Sequence, residues 1–600
     1  MDQTSYPKSI SNRLVNKRIN QLQNILGNGY RIQIPARVGY CVKDMTAFHP
    51  GKAGGGGIGL AVNLFSTTNV FVSGLTENQH THILKGECTR TALIKHHVEV
   101  FRVCLAQILG IPSVSFACFI QHQPRFGSHC GLGSTSGVAL GVLHGLNECF
   151  GKPFNDEDIR FMLADNYVEE SKIDSEEVSF GYETTMTAVG SQNGGCFIID
   201  ENSLDILSRI SSYAWNDLPV FLFAPHKSHE VNESQVLQKG ADRDAEENEA
   251  TKKHRLFEKL RAELNQNESV SIDAVGDLVF ALQQSGSKRT EVESHSRFIY
   301  PFMEAIKILK CTHIVGMSSV GPIVAVVCSK GTTKADLNDA AENHRMVLID
   351  ESVVNTSGRR TEKLPDLKWV HVIGKPCSGK TTLCKELANT VVSDDSQPNL
   401  IKHFLAGPYL RELAKSNPII AEIIKNGKVK DPKNLCLKPM LDRLFLEYFD
   451  VCRDKTVCFL LDGFPRSVEQ LKIVVKDYSF LKTFLCVLHI VAPDDVRMAR
   501  QSSRAPRVVG SESMEEADLA RRDGMDETSP MIDIWKDECE IQRVHTVVNT
   551  SAIEVSVTCI NSILSVERHW KLKKIGMNIL AYYRFSLKMS LFISPCIRIQ

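Results

Sequence analysis

Leu367-Lys368-Trp369-Val370-His371-Val372-Ile373 runs straight into Gly374-Lys375-Pro376-Cys377-Ser378-Gly379-Lys380-Thr381, and Thr382-Leu383-Cys384-Lys385-Glu386-Leu387 follows. The first piece is a short apolar run, the composition of a buried strand. The second has the form G-x-x-x-x-G-K-T, in which glycines let the backbone wrap a polyphosphate with its N–H groups turned inward. The third reads as a helix, whose N-terminus turns its positive dipole end toward the same anion. Lys380 brings charge to the outer phosphates, and a hydroxyl from Thr381 or Thr382 is within reach of Mg²⁺. Strand, loop and helix in this order predict an α/β domain, with Gly374, Cys377, Ser378, Gly379, Lys380, Thr381 and Thr382 lining its phosphate site.

A second stretch fits the same domain. Cys458-Phe459-Leu460-Leu461-Asp462-Gly463-Phe464-Pro465-Arg466-Ser467-Val468-Glu469-Gln470 is an apolar strand that ends in an acid. Asp462 is thereby expected at the carboxyl edge of a parallel sheet, beside the phosphate loop, where a carboxylate organises a metal ion. D-G-F-P-R-x-x-x-Q resembles the signature of adenylate kinases and other nucleoside monophosphate kinases. That resemblance extends over most of residues 366–568.

Within it, His403-Phe404-Leu405-Ala406-Gly407-Pro408-Tyr409-Leu410-Arg411 resembles the family's monophosphate-binding segment. The resemblance makes Arg411 and Arg466 phosphate clamps and Gln470 the reader of the acceptor base. Arg500, Arg504, Arg507, Arg521 and Arg522 cluster where the family keeps an arginine-bearing lid, with Arg504, Arg507 and Arg521 the expected neutralising groups. Such a set suits phosphoryl transfer, which needs in-line positioning, charge neutralisation and exclusion of water. The implied substrates are ATP, with Mg²⁺, and a nucleoside monophosphate. Three positions depart from the family pattern: Thr381 replaces a glycine, Pro408 an acid, and Ala406 a threonine. Alanine at 406 is the choice of pyrimidine monophosphate kinases, whereas Gln470 points to AMP. AMP is the expected acceptor, with CMP and UMP left open.

The N-terminal half carries three glycine-rich constellations. The first runs from Arg37-Val38-Gly39 through Asp44 and Lys52 to Gly54-Gly55-Gly56-Gly57-Ile58-Gly59. The second is His129-Cys130-Gly131-Leu132-Gly133-Ser134-Thr135-Ser136-Gly137, opening a helical run. The third is Gly316-Met317-Ser318-Ser319-Val320-Gly321-Pro322, before a strand. Small residues at a helix start leave N–H groups open to an anion, and Ser134 and Thr135 add hydroxyl donors. In this order the three resemble the GHMP small-molecule kinase superfamily, and within it the β-ribofuranosylaminobenzene 5′-phosphate synthases. The resemblance implies an α+β domain whose phosphate loop contains Gly131, Gly133, Ser134 and Thr135. Asp44, Ser318, Ser319 and Gly321 would complete the site. It leaves two chemistries open: transfer from ATP to a small-molecule hydroxyl, or condensation of an aryl acid with phosphoribosyl pyrophosphate. Glu183, in Gly181-Tyr182-Glu183-Thr184, is the expected catalytic base of the kinase branch, though the gap to Gly194-Gly195 is longer than usual. Lys52 and His129 are weaker candidates, each more readily taken as an ordinary structural residue.

Composition sets the outer limits. Lys plus Arg and Asp plus Glu both number 70, which argues against a nucleic-acid partner held by bulk charge. The 18 cysteines include no C-x-x-C pair, as expected of reduced thiols in a cytoplasmic protein. Arg13, Lys17 and Arg18 near the N-terminus leave an organelle-targeting reading open beside the cytoplasmic one. No apolar run is long enough for a membrane span. The expected organisation is a polar segment (1–29), an α+β GHMP-type domain (30–355), a polar linker (356–365), an α/β P-loop domain (366–568) and a basic aromatic tail (569–600). The tail reads either as a membrane-surface segment or as a loose end. Lys239–Glu263, dense in charge, is expected to be a surface loop and a solvated amphipathic helix. Two other readings of the whole stand beside that of a bifunctional enzyme. In one the N-terminal half is the principal enzyme; in the other the chain is a nucleotide-binding regulator with degenerate sites.

Overall fold

The computed structural model describes residues 21–549 apart from 23–24, 48, 77–78, 85–89, 128–129, 171–176, 211–214, 228–232, 267–269, 390–399, 426–434, 452–456, 477, 479–483, 504–527 and 540–543. The N-terminal strands are β1 (Asn28–Cys41), β2 (Gly57–Leu75), β3 (His80–Ile83), β4 (Phe116–Gln123), β5 (Val168–Glu170), β6 (Val178–Phe180), β7 (Cys196–Ile199), β8 (Ile206–Ile210), β9 (Pro219–Pro225), β10 (Thr312–Met317), β11 (Val324–Cys328), β12 (Met346–Val353) and β13 (Arg360–Lys363). One sheet runs β13-β1-β2-β4-β3, and β7 and β8 extend it from the first part of β2. A second, antiparallel sheet runs β10-β11-β9-β12.

The helix Ser134–Cys149 lies on β1 and β2 and is buried along nearly its whole length. Glycine makes that approach feasible. A Cβ on Gly141 would stand 2.2 Å from Thr68 Oγ1, and one on Gly145 2.4 Å from Val70 Cγ2. Seating the helix this deeply fixes its N-terminal loop above the sheet, where the candidate site forms.

The C-terminal half is a five-stranded, all-parallel sheet. Its strands are β14 (Leu367–Ile373), β15 (Leu400–Leu405), β16 (Val457–Asp462), β17 (Phe484–Val491) and β18 (Val544–Val548), in the order β15-β16-β14-β17-β18. The strand that opened the sequence reading is the central one. β16 and β17 flank it, so the loops after β14 and β16 meet at the carboxyl edge. β16 is buried throughout, and β14 at every position but one, as the unbroken apolar runs require.

Three expectations need correction. The stretch 356–365 is not a free linker: Arg360–Lys363 is β13, paired antiparallel with residues 30–33 of β1. All four of its side chains are exposed, which is why an edge strand looked like a linker. The first domain also begins before residue 30, because β1 starts at Asn28 and Leu26 is buried in the core. The charge-dense segment does form a helix, Glu247–Leu264, with Phe257, Leu260 and Leu264 buried. Lys253, however, is turned inward, paired with Asp244 at 2.5 Å and bonded to Ser287 at 3.0 Å.

The two halves share a core. Phe71, Phe119 and Leu84 of the first pack with Phe445, Tyr448 and Leu441 of the second. Phe119 and Phe445 stack with centroids 3.6 Å apart. His82 bridges the halves, with Nδ1 2.6 Å from Asp442 Oδ1 and Nε2 2.9 Å from the Tyr478 hydroxyl.

Candidate active sites

The phosphate loop leaves β14 at Gly374, and the helix Lys380–Asn389 follows. Lys380 Nζ donates to the carbonyls of Gly374 and Lys375, so its charge lies over the loop. Thr381 Oγ1 donates to Asp462 Oδ2 at 2.7 Å, which ties the loop's helix to the end of β16. His403 Nε2 lies 3.3 Å from the same carboxylate oxygen. Burial alone would push the Asp462 carboxyl up. Hydrogen bonds from His403 and Thr381 and the charge of Lys380 outweigh it, and the net shift is downward. Asp462 is therefore an anion at neutral pH. Thr381 and Asp462 offer oxygen donors side by side, the ligand chemistry that suits Mg²⁺.

Side chains from beyond the phosphate loop, Arg497, Gln501 and Asn549 not singled out in the sequence and Arg500 expected elsewhere, brace this loop. Arg497, buried, donates from Nε to the Pro376 carbonyl at 2.9 Å. Arg500 reaches the carbonyls of Cys377 and Ser378, and Asn549 Nδ2 donates to Ser378 O at 2.9 Å. Cys377, in the left-handed region at φ 63°, has its thiol 2.9 Å from Gln501 Oε1. Arg497 and Gln501 share the helix Asp494–Ser502 with Arg500. Arg500, expected in a lid, thus belongs to the loop's support. No local motif marks this bracing, because it depends on where β17 and β18 end.

At the neighbouring strand end, Ala406 is buried at the start of the helix Ala406–Ser416, and Arg411 is exposed one turn on. Arg466 is exposed in the loop after β16, and its backbone N–H donates to Gln470 Oε1 at 3.0 Å. Gln470 thus holds the loop that bears Arg466 through its side-chain oxygen. His371 on β14 steadies that loop too: its Nε2 lies 2.9 Å from the Pro465 carbonyl, while Trp535 Nε1 donates to its Nδ1 at 3.0 Å. Arg504, Arg507 and Arg521 lie outside the described residues, as do His129 and the tail 569–600.

In the N-terminal half the three glycine-rich constellations meet. Ser318 Oγ donates to the Gly131 carbonyl at 2.6 Å and accepts from Gly39 N–H at 3.0 Å. A Cβ on Gly321 would stand 2.3 Å from the Cys130 carbonyl carbon, so the third constellation is glycine where it touches the second. Gly131 and Gly133 both have positive φ, and Gly133 caps the helix Ser134–Cys149 without a side-chain bond. A cavity of about 460 Å³ opens at that helix N-terminus. Gly131, Gly133, Ser134, Thr135, Glu183, Ser319 and Gly321 line it, as do Arg37, Lys288 and Glu291.

Glu183 is buried, accepting from Ser136 Oγ and the Thr185 N–H, each at 2.6 Å. Burial outweighs these bonds and the charge of Arg37, and it holds the carboxyl above its ordinary value. Thr135 Oγ1 accepts from Arg90 at 3.1 Å, and Arg90 pairs with Glu170 at 2.9 Å. Lys288 Nζ lies 2.8 Å from Glu291 and donates to the Ser319 carbonyl at 2.6 Å. Lys288, Glu291 and His295 come from one face of the helix Gly286–His295, a spacing legible in the sequence but not singled out.

Two expected site residues stand apart. Asp44 accepts from the N–H and hydroxyl of Thr46, serves a local turn and does not line the cavity. Lys52 is exposed and also absent from the lining. Ser318 is buried as a clamp between backbones. Among the described residues no helix is long and apolar enough to cross a membrane.

The chain is similar to several known proteins, in different parts. Residues 373–518 match the family model described as AAA domain. Adenylate kinase 1 of Schistosoma mansoni is 27% identical over 192 residues, covering 30% of this chain and 85% of that protein. The adenylate kinase of a Nitratiruptor species is 34% identical over 109 residues, covering 18% of this chain and 49% of its own length. Among solved structures, a homoserine kinase from Cytophaga hutchinsonii aligns over 56% of this chain and 97% of its own, with 15% identity and a TM-score of 0.41. The C-terminal half is an adenylate kinase-like P-loop domain.

Proposed function

We propose that the C-terminal half transfers the γ-phosphoryl group of ATP to a nucleoside monophosphate, AMP first among them. The observation that carries this is the Thr381–Asp462 contact at 2.7 Å, with the clamp loop bearing Arg466 leaving the same strand end. Thr381 and Asp462 would hold Mg²⁺, Asp462 through the ion's water shell. The ion supplies charge neutralisation on the β- and γ-phosphates. Lys380 and the loop N–H groups take the donor phosphates. Arg411 and Arg466 hold the acceptor phosphate by bidentate forks, and the resemblance gives Arg504, Arg507 and Arg521 the neutralisation of the moving group. The test is ADP formation from ATP and AMP by the full chain, with CMP and UMP as competing acceptors. Activity that Lys380→Ala abolishes is expected; equal, negligible turnover by both proteins refutes the reading.

For the N-terminal half we infer binding of a phosphorylated small molecule at Gly131–Thr135. Glu183 serves as base toward a hydroxyl held in the cavity. Its support is the buried carboxyl beside a helix N-terminus. The synthase-like chemistry with phosphoribosyl pyrophosphate uses the same loop for pyrophosphate and no ATP. Calorimetric titration of the full-length Lys380→Ala protein with and without Gly133→Val separates the two, because only heat that Gly133→Val removes belongs to the N-terminal loop, where a Cβ would meet Thr187 Oγ1 at 2.4 Å. Heat with Mg-ATP favours the kinase, and heat with phosphoribosyl pyrophosphate alone favours the synthase. Silence with both leaves the C-terminal half as the sole enzyme.

A further inference from the structure

Beneath the phosphate loop, three side chains of different chemistry converge. Cys384 comes from the loop's helix, His403 from β15 and Asp462 from the end of β16. One donor atom from each, the thiol sulfur, a ring nitrogen and a carboxylate oxygen, lies within 4.8 Å of both others. Among the described residues this is the one place where three such donors meet. The His403 and Asp462 atoms are already 3.3 Å apart. In a tetrahedral site with bonds of about 2.0–2.3 Å, donor atoms stand roughly 3.3–3.8 Å from one another. Closing the three on one ion asks for shifts on the order of 1 Å.

We propose that Cys384, His403 and Asp462 form a binding site for one thiophilic divalent cation of the Zn²⁺ class. A sulfur, an imidazole and a single carboxylate suit Zn²⁺ or Co²⁺ and do not suit Mg²⁺, which takes oxygen ligands. Three protein ligands leave a fourth position for water or a phosphate oxygen. Cys384 and Asp462 are buried, and the Thr381 hydroxyl bonded to Asp462 orients the carboxylate as an outer-shell partner. Asp462 is also the acid assigned to Mg²⁺ above. The two ions therefore compete for one carboxylate, and Zn²⁺ holds the loop in a form unable to engage Mg-ATP. This exclusion rests on the proposed kinase reading; the metal site itself does not.

The experiment titrates the full-length, reduced protein with Co²⁺ alone, in the absence of nucleotide. Absorbance reports thiolate-to-cobalt charge transfer and tetrahedral d–d bands, and Zn²⁺ back-titration gives the stoichiometry. Wild type is expected to show both bands and to lose them to Zn²⁺. Cys384→Ser should lose the charge-transfer band of this site, and His403→Gln one equivalent of tight binding, each weakened at least about 100-fold. Circular dichroism matching wild type shows that each variant is folded. Spectra and stoichiometry unchanged in both folded variants overturn the site. Saturating Mg-ATP should weaken the apparent Co²⁺ affinity at least about tenfold. An unchanged affinity overturns the exclusion. Absence of ADP formation would refute the kinase reading and leave the cobalt result standing.

Discussion

Lys380 and Glu183 are opposite cases of a single charged group. Lys380 rests on loop carbonyls that phosphate oxygens would replace as its partners. Replacing it by alanine should cut ADP formation at least about 100-fold while leaving the melting temperature near wild type, since removing a transition-state charge contact costs on this order. Glu183 is a buried acid held above its ordinary value of 4.5. Between that value and its native one, the folded chain keeps a proton that the unfolded chain has lost, so stability falls as pH rises through the window. Glu183→Gln is therefore expected to melt no lower than wild type at neutral pH, and to lose any advantage below about pH 4.5. It should abolish turnover by the N-terminal half at every pH. A variant that melts far lower at neutral pH would show that the carboxylate is a structural anchor. Lys380 is named by the phosphate-loop motif, and Glu183 was singled out only as the nearest match to a family segment. Arg37 and Lys288 were not, because they reach the cavity from a strand and a helix remote in sequence.

Elements were legible where burial was continuous. β14 and β16 announce themselves as apolar runs, and the helix Ser134–Cys149 by its glycine-led start. Gly137, Gly141 and Gly145 on one face of that helix were signals of close packing that went unread. Gly141→Ala puts a methyl 2.2 Å from Thr68 Oγ1 and 2.8 Å from its Cβ. Expected destabilisation is about 1–3 kcal/mol by urea unfolding, the usual cost of overpacking. A neutral result would mean that the helix can lift off β2.

The helix Thr91–Leu109 carries a different stress. Both ring nitrogens of His97 are buried without a hydrogen-bond partner. Burial, with a smaller push from His96, lowers its pKa to about 3 from 6.5. Within that window the unfolded chain binds a proton that the native one refuses, so stability is lost as pH falls below 6.5. Melting curves at about pH 7 and pH 5 should show a smaller drop for His97→Leu than for wild type. Equal drops would assign the acid sensitivity to other groups. β13 escaped the reading for the opposite reason. Its side chains make no core: backbone pairing with β1, the Arg31–Glu362 ion pair at 3.1 Å and Arg360 over the Phe65 ring hold it.

For the whole molecule, the shared aromatic core matters more than the boundary between two folds. Phe119 and Phe445 stack across it, and His82 ties to Asp442 and Tyr478. Two domains joined this way should unfold together. Scanning calorimetry of the full chain is expected to give one transition. Phe445→Ala should split it or lower it, at a cost of about 3–5 kcal/mol. Two transitions in the wild type would show the halves to be independent. The sequence carried no hint of this contact. Each of its residues reads as an ordinary core position of its own domain, and only the packed structure shows that the cores merge.

The pairing of β13 with β1 orders events on the ribosome. Residues 30–33 emerge early, yet their partners at 360–363 come only after nearly the whole first half has been made. Until then the outer edge of β1 lacks its partner strand, the kind of exposed edge that invites pairing with another chain. A nascent chain that pauses before residue 363 would need that edge shielded. Finishing the first sheet brings synthesis directly to β14, so closure of one half and the start of the other fall within a few residues of each other.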